Sequence, residues 1–82
     1  MLTLEQLKEL AKEIDMLREK IENIDPQKDL ASQGVDSLDT LSLLLLIQEK
    51  YGVQIPDEDI PKLTTLNDIV EYVNRKLQEK EN

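Results

Sequence analysis

Apolar residues recur at three- and four-residue intervals along most of this chain, which is the signature of amphipathic helices. Leu4, Leu7, Leu10, Ala11, Ile14, Leu17 and Ile21 form the first series, predicting one helix of about five turns with Lys and Glu on its other faces. Thr3-Leu4-Glu5-Gln6 opens it as a capping box, with Thr3 at the N-cap and Gln6 reaching back from N3. The series is too short for the sustained heptads of a coiled coil, so the helix is expected to pack in a bundle. A second helix is expected from Ser37 to about Lys50, apolar on more than one side. Leu43, Leu46 and Ile47, with Tyr51 below them, are expected to face the core. Leu38, Leu41 and Leu45 form another stripe close to Ser37, more than a small domain can bury, and are expected to meet a partner. Leu66, Ile69, Val70, Val73 and Leu77 make a single clean stripe for a last helix, capped by Thr65 with Asp68 three residues on. Gln78 to Asn82 is polar and expected to fray.

The segments between are read from their breakers. Asn23-Ile24-Asp25-Pro26 should end the first helix, since the residue before proline is pushed out of the α region. A polar loop of about ten residues follows, longer than most helix connections, with Ile24 and Leu30 as anchors and room for a short turn from Leu30 to Gln33. Gly34 suits a positive φ just before the second helix, and Gly52 suits the end of that helix. Val53-Gln54-Ile55 alternates like a strand, yet no second strand exists to pair with it, so an extended loop is expected. Ile55 to Pro61 reads as one acidic helical turn halted by Pro61, with Ile55 and Ile60 facing the core. The expected fold is all-α: one domain over residues 1–82, a small four-helix bundle of three main helices and one short helix with a long first loop.

Composition removes much chemistry. The 82 residues contain no Cys and no His, so disulfides, thiolate metal sites, and cysteine or histidine catalysis are excluded. A chain this short buries too little interior for a deep catalytic cleft. Asp36, Ser37 and Asp39 form no nucleophile–base pair of suitable pKa, so the chain is not expected to be an enzyme. The net charge is -8, and residues 1–35, 36–61 and 62–82 carry -3, -5 and 0. Nucleic acid would be repelled, whereas a partner with a basic docking patch would be drawn to the region around Ser37. No apolar run is long enough to span a membrane, and the N-terminus lacks the basic and apolar regions of a signal peptide; a cytoplasmic location is expected.

The chemistry-bearing stretch is Gly34-Val35-Asp36-Ser37-Leu38-Asp39-Thr40. Asp36 is placed to cap the second helix with Asp39 at N3, leaving Ser37 at N1 with its side chain outward. Unpaired backbone N–H groups and the helix dipole favour a phosphate there. This stretch closely resembles the modification site of acyl carrier proteins. The resemblance continues in Tyr51-Gly52-Val53, Ile55-Pro56-Asp57-Glu58 and Leu63-Thr64-Thr65-Leu66, in the family's order and over most of the chain. It implies that a phosphopantetheinyl transferase attaches 4'-phosphopantetheine from coenzyme A to Ser37, whose arm then carries acyl groups as thioesters. It further implies that Asp36 engages the transferase and its metal, and that Leu38 and Leu41 seat in partner pockets. Asp39, Leu45, Asp57, Glu58 and Asp59 complete the expected docking surface.

The implied partners are the transferase and enzymes such as acyl-carrier synthetases or ligases, ketosynthases and acyltransferases, met by a monomer. One departure is notable. Leu41-Ser42-Leu43-Leu44-Leu45-Leu46-Ile47-Gln48 lacks the acidic residues that many fatty-acid carriers have in this helix, which points to a specialised carrier with a more apolar docking face serving one dedicated pathway, fatty-acid or a specialised lipid or polyketide-type one. The alternatives are an aminoacyl, peptidyl or D-alanine carrier, or a helical interaction module without a cofactor.

Overall fold

Helices do form where the apolar series place them, but the first is interrupted. A computed structural model describes residues 1–81, in the order α1 (Leu4–Ala11), α2 (Asp15–Arg18), a 3-10 turn at Ile21–Asn23, a second at Ala31–Gln33, α3 (Ser37–Tyr51), a 3-10 helix at Asp57–Lys62, and α4 (Leu66–Glu81). No strand occurs among the described residues, and Val53-Gln54-Ile55 is extended loop. The fold is all-α, with three longer helices and shorter helical pieces between them.

The single five-turn helix expected from Leu4 to Ile21 is not observed. The helix stops after Ala11, and Ile14 adopts an extended conformation at φ -100° and ψ 116°. No glycine or proline causes this break. The chain turns so that the Ile21–Asn23 segment packs back on α1, and Leu17 and Ile21 enter the same core as Leu7 and Leu10. The Lys12 ammonium seals the reversal, lying 2.9 Å from Glu22 and 3.3 Å from Glu9. Ten residues of continuous helix would separate Lys12 from Glu22 by about 15 Å. The Glu22 bond first, then Glu9, raises the Lys12 pKa, and Lys12 lowers that of Glu22. Arg18 Nε donates to the Lys12 carbonyl at 2.9 Å, satisfying an acceptor that the broken helix leaves open. Tertiary burial overrides a periodicity that runs unbroken through the turn.

The N-terminal capping box forms as expected: Gln6 N donates to Thr3 Oγ1 at 3.1 Å and Thr3 N to Gln6 Oε1 at 3.0 Å. The N-terminus is then clamped to α4, where Asn74 accepts from Leu2 N at 2.8 Å and donates to the Leu2 carbonyl at 2.9 Å. At α4, Asp68 N donates to Thr65 Oγ1 at 3.0 Å and Thr65 N to Asp68 Oδ2 at 3.2 Å, the second capping box. Its stripe is buried at Leu66, Ile69 and Val73, with Val70 and Leu77 packed at the edge. The backbone stays helical beyond Leu77 to Glu81, where neither glycine nor proline interrupts it; the expectation for Asn82 lies outside the described residues.

In α3 the fully buried residues are Leu43, Leu44 and Ile47, with Thr40, Leu46 and Tyr51 half-buried. The core stripe therefore runs through Leu44, and Leu46 sits at its border rather than its centre. The acidic helical turn is not halted at Pro61. It continues as 3-10 helix to Lys62, because its closing bonds, Asp59 N to the Pro56 carbonyl and Leu63 N to the Ile60 carbonyl, do not need the N–H that Pro61 lacks. Ile55 is buried and Ile60 packs against the core.

Candidate functional site

The site is built where the long loop enters α3. Three apolar pegs, Ile24, Leu30 and Val35, are each at most 6% exposed and hold the loop to the bundle. Two backbone bonds tie it to the start of α4: Leu30 N to the Thr64 carbonyl at 2.8 Å and Asn67 N to the Pro26 carbonyl at 3.1 Å. Gly34 then turns the chain at φ +84°, a conformation that favours glycine, and its carbonyl accepts from Lys20 Nζ at 3.0 Å.

Asp36 is the N-cap of α3. Its carboxylate accepts from Leu38 N at 2.9 Å, and its carbonyl accepts from Thr40 N at 3.0 Å. Ser37 is the first helical residue, exposed, with its hydroxyl at 3.5 Å from Asp36 Oδ1, the outer limit of a hydrogen bond. A contact so long and exposed leaves the hydroxyl free to react but does not activate it.

Around Ser37 the residues singled out from the sequence separate into three groups. Leu38, Leu41 and Leu45 are 69%, 38% and 53% exposed, an unpaired apolar stripe running down α3 from the serine. Asp36 is exposed and Asp39 half-buried at the head of that stripe, while Asp57 and Glu58 are exposed on the 3-10 helix. Asp59 is different: it accepts from the Tyr72 hydroxyl at 2.6 Å and lies 3.5 Å from Lys62. The Tyr72 bond holds the Asp59 carboxyl below the usual range, and burial together with that acceptor pushes the Tyr72 phenol up to about 12. Asp59 is thus spent mainly on joining the 3-10 helix to α4. Among the described residues no group of three or more potential metal ligands occurs, and no helix is long and apolar enough to cross a membrane.

A groove of about 230 Å³ opens beside Ser37. Leu30, Val35 and Leu63 form its apolar lining with Leu41 of α3, and Ile60 and Pro61 of the 3-10 helix form the facing wall. Thr40 and Thr64 add hydroxyls. The helix periodicity does not indicate the groove, since most of its lining comes from the loop, the 3-10 turns and the segment before α4. An exposed hydroxyl at a helix start, beside a largely apolar groove, fits a flexible arm joined through a phosphate: the orphan N–H groups favour the phosphate and the groove gives the arm a surface.

Comparison with known proteins agrees with this geometry. Residues 5–73 match the family described as phosphopantetheine attachment site. The fold is similar to that of an acyl carrier protein from Thermotoga maritima, with a TM-score of 0.78 and 26% identity, covering 93% of this chain and 87% of that one. The chain therefore belongs to the acyl carrier protein family of phosphopantetheine-bearing domains, which are carriers and not catalysts.

Proposed function

We propose that Ser37 is the attachment residue and that the domain carries acyl intermediates as thioesters on a 4'-phosphopantetheine arm. The arm supplies the thiol that a chain without cysteine lacks. The single observation that carries this reading is the exposed Ser37 hydroxyl at the first position of α3, beside the apolar groove. The protein's own part is presentation: Asp36 holds the helix start, the loop pegs fix its direction, and the base comes from the transferase. Leu38, Leu41 and Leu45 form the docking stripe, with Asp36, Asp39, Asp57 and Glu58 supplying charge around it for basic partner residues. Synthetases, ketosynthases or acyltransferases are the enzymes such a face would serve, in the cytoplasm and with the carrier as a monomer.

The middle of α3 is apolar where it is exposed, with Ser42 between Leu41 and Leu45. This favours a partner that recognises α3 largely by apolar contact, in a specialised lipid or polyketide-type pathway. Weak reconstitution of fatty-acid synthesis is expected, and full activity with standard synthase components would refute that part.

The test of the main reading is intact mass after incubation with coenzyme A and a broad-specificity phosphopantetheinyl transferase. The parent should gain one phosphopantetheine. Ser37→Ala should gain none while keeping its stability within about 0.5 kcal/mol, because the side chain is exposed. A modified Ser37→Ala variant would refute the assignment.

A further inference from the structure

The loop that delivers Ser37 is closed by one side chain. Gln33 ends the Ala31–Gln33 turn, and its amide folds back across the residues before it. Its Oε1 accepts from Asp25 N at 2.8 Å. Its Nε2 donates toward the carbonyls of Asp25 at 3.0 Å, Lys28 at 3.2 Å and Asp29 at 3.4 Å. A carboxamide offers one carbonyl and two N–H donors, so this side chain is close to fully used. Among the described residues the Asp25 N–H and the Lys28 carbonyl have no other hydrogen-bond partner. The amide thus does for this loop what a paired backbone segment would do.

We propose that Gln33 is a positioning residue for modification of Ser37, setting the loop geometry in which the hydroxyl is offered to the transferase. The inference rests on Ser37 being the attachment residue. Only Gly34, Val35 and Asp36 separate the two, and none of them is slack. Gly34 is held in its left-handed turn, Val35 is 6% exposed with its N–H on the Leu30 carbonyl at 3.1 Å, and Asp36 caps α3. A change in how residues 25–29 are tied therefore reaches the start of α3 through a short, constrained path. Gln33 makes no hydrogen bond to Ser37, so its effect passes through the loop: without the amide, fewer molecules hold the competent geometry at any moment, and apparent affinity falls by that fraction.

The measurement is steady-state transfer from coenzyme A by the same transferase, with the concentration of carrier varied. Gln33→Leu removes every side-chain bond at similar size and is expected to raise the KM for the carrier roughly fivefold to tenfold, with kcat within about twofold. Gln33→Glu keeps an acceptor for the Asp25 N–H but turns an anionic oxygen toward the carbonyls, and should raise KM at least as far. Asn74→Ala, which loses the two bonds to Leu2, is the control for general destabilisation: its Tm should fall and its KM stay at the parental value. Parental KM in the folded Gln33 variants, or an equal rise in Asn74→Ala, would overturn the proposal. If Gln33→Leu does not fold, Gln33→Glu decides. Hydrogen exchange of the parent gives an independent reading: the Asp25 amide should exchange slowly, and unprotected exchange would overturn the proposal even if neither variant folds. A parent that is not modified at all would instead overturn the assignment of Ser37, and this inference with it.

Discussion

Tyr72→Phe isolates the bond that fastens the 3-10 helix to α4, and with it one wall of the groove beside Ser37. The phenol donates to Asp59 Oδ2 at 2.6 Å, and the change deletes only the hydroxyl. A hydrogen bond from a hydroxyl to a carboxylate contributes about 1.5 to 3 kcal/mol where it is shielded from water. Both groups are half-buried, so water screens much of this, and a realised loss of about 1 to 1.5 kcal/mol is expected. In a domain of this size that lowers Tm by about 5 to 10 °C.

The pH dependence has a definite sign. Folding raises the Tyr72 pKa, so this stabilisation is whole below pH 10 and is lost as pH rises through about 12. Folding lowers the Asp59 pKa, so its contribution is present above pH 4 and is lost as pH falls through a value below 3.8. Thermal melts of parent and variant should therefore differ most near pH 7, and the difference should shrink as acid protonates the Asp59 carboxylate. A Tm difference below about 1 °C at pH 7 would refute this account.

Gly34→Ala should cost about 1 to 2 kcal/mol in urea melts, all of it from the left-handed backbone at φ +84°, because an added Cβ meets nothing within 4 Å. Leu44→Ala, at a site 0% exposed, should cost about 2 to 5 kcal/mol in the same melts, against about 0.5 or less for Leu45→Ala one residue on. Leu45→Ser should leave Tm within about 2 °C of the parent yet weaken capture by an acyl-loading partner several-fold in a binding assay.

The division between sequence and tertiary structure follows from what is local. Helix starts were legible because caps are local: Thr3 with Gln6, Asp36 at α3, and Thr65 with Asp68 satisfy backbone N–H groups a few residues away. Gly34 and Gly52 were legible because a positive φ narrows the choice of residue, and the exposure of Leu38, Leu41 and Leu45 because a small domain has one core and α3 has more apolar surface than that core accepts. The position of Ser37 at the first turn of α3 follows from the same local rules. The break after Ala11 was not legible: the three- and four-residue spacing continues through it, and only burial of Leu17 and Ile21 beside Leu7 makes the turn favourable. Leu44 joined the core because neighbouring elements meet that side of α3, which its own repeat of apolar residues does not distinguish. The groove beside Ser37, the bond from Tyr72 to Asp59 and the closure of the loop by Gln33 likewise join segments far apart in the chain or irregular in backbone. No period in the sequence encodes contacts of that kind. They exist only once the bundle has brought their partners within hydrogen-bond reach.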